Sequence, residues 1–114
     1  GDNQDQTILE AFLSVVEFWD DWYPNLHQAF ERPRFQTLHF HGSFWPHEAG
    51  LNKLNLEATI PEAVADELKR RGHEISRLRA FGMSGCATAV MIDPATRNRI
   101  AAGDPRRDCY AIAY

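Results

Sequence analysis

Apolar residues recur at helical spacing through the first segment, where Ile8, Leu9, Phe12, Leu13, Val15, Val16 and Trp19 alternate with Glu10, Ser14 and Glu17 on the other side. The spacing predicts a helix, opened by Asp2, Asn3 and Asp5 as cap candidates and first-turn acids. Its apolar face is wider than a lone surface helix needs. Pro24 ends that element or opens the next, and "PNLHQAFERP" reads as a short second helix with Pro33 beyond its end. From Arg34 to Phe40 the pattern changes to alternation, predicting a strand with Phe35, Thr37 and His39 on one face and Gln36, Leu38 and Phe40 on the other. "HGSFWPHEAGLN" is irregular by its Gly and Pro content, and Lys53 to Ala58 alternate around Leu54 and Leu56 as a short strand.

The stretch "TIPEAVADELKRRG" carries the strongest helix signals: a Thr59/Glu62 capping box, Pro61 in the first turn and a Val64/Leu68 stripe. Lys69, Arg70 and Arg71 complement its C-terminal dipole, and Gly72 suits a left-handed C′ position. "HEISRLRAF" alternates Ile75, Arg77 and Arg79 against Glu74, Ser76 and Leu78 as a further strand. "CATAVMID" is small and apolar on both faces, which predicts a strand buried from two sides. "DPATRN" is a turn and "RIAAGD" a returning strand, so residues 86–103 form an antiparallel hairpin. The closing "CYAIAY" reads as one more strand, an apolar chain end that needs something to pack against.

With 114 residues the chain fits a single domain over 1–114, large enough for a small core. A net charge of -4 argues against a nucleic-acid partner, which needs a basic face. Residues 1–60 carry three cations against nine acids and residues 61–114 nine against seven, so the mildly basic second half falls short of a polyanion site. No stretch approaches the roughly 20 apolar residues of a membrane span, and no signal peptide opens the chain. Cys86 and Cys109 lack metal-ligand or framework spacing, and the reading is two buried free thiols. Because the first residue is Gly1 and not Met, the expectation is a piece of a longer precursor.

Three groups of side chains have the composition of a reactive site. His39 and His41 would project from one strand face, with His47 and Glu48 nearby, a permissive zinc spacing. The favoured reading is edge-strand and loop histidines with no metal. Asp20 and Asp21 are sequence neighbours that point apart, and read as a solvated helix end. Arg106 and Arg107 offer a carboxylate clamp, set against a reading in which one arginine pins the turn through Asp104 or Asp108 while the other is solvated. Neither cofactor nor metal is called for. From the residues alone the class is a mixed α and β domain.

The order of the pieces adds to this. "GDNQDQ" before the long helix, then "NLHQAFERPRF", "HFHGSFWP", "RGHEI" and "GDPRRDCYAIAY" together resemble the C-terminal part of the small subunit in the gamma-glutamyltranspeptidase family, with "QDQ" and "SFWP" similar to its bacterial gamma-glutamyltranspeptidase-like branch. The resemblance implies an α+β fold, a partial N-terminal nucleophile hydrolase sandwich (αββα) of mostly antiparallel sheet with two main helices. It implies a precursor that cuts itself into a large and a small subunit, whose new N-terminal threonine attacks a gamma-glutamyl amide of a glutathione-type donor with its own α-amine as base. That nucleophile falls upstream of the matching stretch, and Thr7, inside the helix start, cannot replace it. The one functional position carried over is Gly1, matching the second glycine of the family's oxyanion-hole pair. The implied partners are the large subunit, the upstream part of the small subunit and, in the intact enzyme, the gamma-glutamyl substrate; the chain alone is expected to be inactive and to self-associate through exposed edges. The alternative is a non-catalytic interaction module on the same portion of the fold.

Overall fold

The computed structural model describes residues 4–17 and 26–114. Its elements in order are α1 (Gln4–Glu17), α2 (Leu26–Glu31), β1 (Phe35–Thr37), β2 (Lys53–Glu57), α3 (Glu62–Arg70), β3 (Glu74–Leu78), β4 (Thr88–Ile92) and β5 (Arg99–Gly103). The chain forms two compact units, one over Gly1–Gln4 and Pro33–Met83 and the other over Asp5–Arg32 and Ser84–Tyr114.

In the first unit β2 is central: it pairs antiparallel with β1, Phe35 opposite Leu56, and parallel with β3, Leu54 opposite Ile75. The parallel pair requires a crossover, which α3 supplies. Leu54 and Leu56 point inward against Ala65 of α3, with Ile60, Leu68 and Ile75 completing the core. The buried stripe of α3 is thus Ala65/Leu68, and Val64 is exposed. The capping box is absent. Pro61 takes the N-cap position, and its ring has no acceptor to offer the N–H groups of the first turn. The far end follows expectation: Gly72 has φ of +98°, its N–H reaches the Lys69 carbonyl and that of His73 the Leu68 carbonyl, a Schellman closure. Glu67 beside Arg70 and Arg71 is held below the usual carboxylate range, and the Lys69 ammonium is raised by Asp66 and Glu62.

The second unit packs α1 and α2 on a β4–β5 hairpin in which Ala89 opposes Ala102 and Met91 opposes Ile100. Those four residues face Ala11, Val15, Leu26 and Phe30. The opposite face of the hairpin is open, with Val90 and Ile92 about half exposed, so β4 is covered on one side where its composition predicted two. Helix α1 presents its small residues inward: Thr7, Ala11 and Ser14 are buried, whereas Ile8, Leu9, Phe12, Leu13 and Val16 are exposed. Close approach explains the choice, since Gly85, at φ +90°, lies against Thr7, and a Cβ there would stand 2.6 Å from its Oγ1.

Residues 109–114 form no strand, contrary to expectation. The segment is extended beside β5, with the Cys109 carbonyl near Gly103 and the Tyr114 carbonyl bonded by Arg99, and exposure alternates along it. It has a covered and an open face, but no ladder forms. Tyr110, Ile112 and Tyr114 are at least 78 % exposed.

Candidate functional site

A buried polar cluster lies just after β5. The Asp104 N–H donates to the Ala87 carbonyl at 2.9 Å, and its carboxylate accepts the Ala87 N–H at 3.3 Å, so this residue extends the hairpin's pairing by one step beyond the strand. Its other oxygen accepts the Arg106 N–H at 3.0 Å and Arg106 Nη1 at 3.1 Å. Pro105 between them sets the turn. The guanidinium then reaches across the unit: Nη1 donates to the Phe30 carbonyl and Nη2 to the Arg32 carbonyl, both at 2.7 Å. These carbonyls close α2, where a planar cation with a forked donor set satisfies orphan acceptors and complements the dipole. Both charged side chains are fully buried. Arg106 therefore belongs to a latch joining hairpin, turn and helix end, which is the turn-pinning reading of the arginine pair; Arg107 is exposed.

Sequence reasoning missed two further carboxylates. Glu57 is completely buried at the end of β2, its oxygens accepting the N–H groups of Arg34 at 3.0 Å and Met83 at 3.1 Å. Simple alternation put it outward with Asn55, and nothing local signals that two distant backbone segments converge on it. Asp93 opens the β4–β5 turn, accepting the Ala95 N–H and the Thr96 hydroxyl, and exchanges backbone bonds with Asn98 and Arg97. Its carboxyl is lowered by the Thr96 hydroxyl first and then by backbone N–H groups, against an opposing effect of burial. The Asp-Pro pair was the available signal.

The histidine group does not assemble. Because β1 stops at Thr37, His39 and His41 share no strand face, and each ring Nδ1 is engaged within the loop: His39 accepts the Asn52 N–H, His41 meets the His47 carbonyl and His47 the Gly42 carbonyl. Among the described residues no group of three or more His, Cys, Asp or Glu is placed to hold a metal ion. The loop they tie carries a cis Trp45–Pro46 bond and exposes Phe44 and Trp45. Beneath it is a shallow 290 Å³ hollow lined by Leu38, Phe40, Glu48 and Lys53 among others.

The cysteines depart from expectation in both respects: Cys86 and Cys109 form a disulfide, Cys86 is exposed and Cys109 half-buried. The extended terminal segment folds back past β5, which brings position 109 to the residues before β4. Gly1, Asp20 and Asp21 lie outside the described residues. Thr7 is buried inside α1, and no described helix is long and apolar enough to cross a membrane.

The family profile described as Gamma-glutamyltranspeptidase matches residues 1–114. A solved variant of LmbA2991 is 34% identical, with a TM-score of 0.88 over 100% of this chain and 20% of that one. The cephalosporin acylase from Bacillus halodurans is 25% identical with a TM-score of 0.67, over 96% of this chain and 18% of that one. A variant of the Helicobacter pylori gamma-glutamyltranspeptidase, 23% identical, shares the fold at a TM-score of 0.63 over 92% of this chain and 49% of that one. The chain thus spans 20% of the length of LmbA2991. Comparison with curated protein sequences gives no match. The α+β arrangement of helices on small, antiparallel-rich sheets is the fold shared with the gamma-glutamyltranspeptidase structure. The match over the whole chain and the common fold carry one conclusion: this chain belongs to the gamma-glutamyltranspeptidase family, a family of enzymes.

Proposed function

We propose that the chain is the C-terminal part of the small subunit of an enzyme that transfers or hydrolyses gamma-glutamyl groups of glutathione-type donors, and that it contributes scaffold in place of the nucleophile. The observation that supports this reading is the family match over all 114 residues. In this reading the attacking threonine stands upstream of residue 1, freed by self-cleavage of the precursor and activated by its own α-amine. Thr7 is unsuited to that role, being inside α1 with its backbone N–H committed to the chain. The Gly1 amide, at the approach to α1, donates to the tetrahedral oxyanion in the assembled enzyme. The large subunit and the upstream part of the small subunit are the partners, and the exposed apolar face of α1 and the open face of the hairpin are where they pack.

Release of anilide from a gamma-glutamyl anilide tests the reading. The purified 114-residue chain gives no release above a heat-killed control, and co-expression with the upstream portion of its precursor restores it. Turnover by the chain alone sinks the proposal. A folded, stoichiometric co-expressed assembly without activity favours a non-catalytic module.

A further inference from the structure

We propose that the Cys86–Cys109 disulfide is a reversible redox tether that holds the terminal segment 109–114 against the hairpin, releasing it on reduction while the rest of the unit stays folded. The two ends of the bond are unequally anchored. Cys86 sits between Gly85, seated against Thr7, and Ala87, doubly bonded to Asp104. Cys109 leads into five residues without ladder bonds, whose other attachment is at the far end: Arg99 donates to the Tyr114 carbonyl, its guanidinium 5.8 Å from the ring centroid. The Cys109 N–H bonds only locally, to the Arg107 carbonyl at 2.8 Å. Beyond the backbone itself, the disulfide is therefore the one covalent cross-link between a firmly seated segment and a lightly held one. The Asp104–Arg106 latch, bonded to Ala87, Phe30 and Arg32, contains no sulfur and persists in both states.

Exposure decides where the bond opens. A thiolate of a small dithiol attacks the sulfur of Cys86, the more exposed residue of the two, the Sγ–Sγ bond breaks, and the Cys109 thiolate leaves and takes up a proton. The second thiolate of the reductant resolves the mixed disulfide, releasing Cys86 as a thiol and closing the reductant into a cyclic disulfide. Two electrons pass to the protein, and an oxidised dithiol reverses the sequence.

Backbone ¹⁵N relaxation of the 114-residue protein, before and after dithiothreitol, tests the proposal, with a thiol-reactive chromophore counting free thiols. Without reductant no thiol reacts; with it, two do. Order parameters of residues 110–114 fall from about 0.85 toward values below about 0.6 on reduction, while those of β4 and β5 hold. A carboxypeptidase selective for aromatic ends removes Tyr114 about tenfold faster from the reduced protein, since cleavage follows the population of the open form. Cys86→Ser and Cys109→Ser behave as the reduced state with or without dithiothreitol. Thiols that react in the unreduced protein, unchanged order in 110–114, or loss of β4–β5 order together with the segment each overturn the proposal.

Discussion

Arg106 is the residue on which the second unit turns. Its buried charge is balanced by Asp104 and its fork is spent on two carbonyls at the end of α2, so removing it strands both a carboxylate and two acceptors. Breaking such a pair from one side costs about 3–5 kcal/mol, because the remaining charge stays out of water without compensation. Urea denaturation of Arg106→Met shows a loss of that order, whereas the exposed neighbour in Arg107→Ala changes stability by less than about 0.5 kcal/mol. Equal effects of the two substitutions refute the latch. The pair was legible in sequence as two alternatives, since Asp-Pro-Arg announces a turn. What no local pattern held was the target, as Phe30 and Arg32 lie more than seventy residues away. Glu57 was hidden for the same reason: its partners, Arg34 and Met83, come from other segments.

The elements divide by how local their determinants are. Helix α3 appeared in the expected place with its Gly72 closure because its dipole charges and stop signal lie in one contiguous stretch, although Ala65 and not Val64 is the residue it buries. Its start moved because Pro61, with φ fixed, takes the cap position whatever Thr59 offers. The β4–β5 hairpin was likewise legible through its Asp-Pro turn, and that turn is sensitive to acid. The folded-state pKa of Asp93 is depressed, so its contribution to stability is complete above the unfolded carboxylate value and fades as pH falls through the folded one. Thermal melts therefore show a gap between the parent protein and Asp93→Asn that is constant near neutrality and narrows below about pH 4. A gap independent of pH across that range contradicts the assignment. Strand alternation was the weakest guide: β1 is shorter than its pattern, and the terminal segment alternates in exposure yet pairs with nothing.

For the whole molecule, the misfit between composition and burial carries the most information. The wide apolar face of α1 was visible in the sequence, but which part of it faces inward was not, because the side that packs is the one with room for Gly85 and the hairpin. Large side chains are left outside, Phe12 and Ile8 about two-thirds exposed. Sedimentation of the isolated chain is expected to show self-association that Phe12→Asp weakens with little change in unfolding free energy, the residue having almost nothing to lose by staying wet. A monomer at all concentrations, or an unfolded variant, contradicts this.

The latch also orders events in time. The second unit is discontinuous in sequence: Asp5–Arg32 and Ser84–Tyr114 make it up, and Arg106 closes it from the far side of the intervening stretch. Contacts spanning 74 and 76 residues leave the carbonyls at the end of α2 without this partner until the turn at Pro105 has been synthesised. A chain arrested before that turn holds the second unit open, with apolar surface of the kind a chaperone binds.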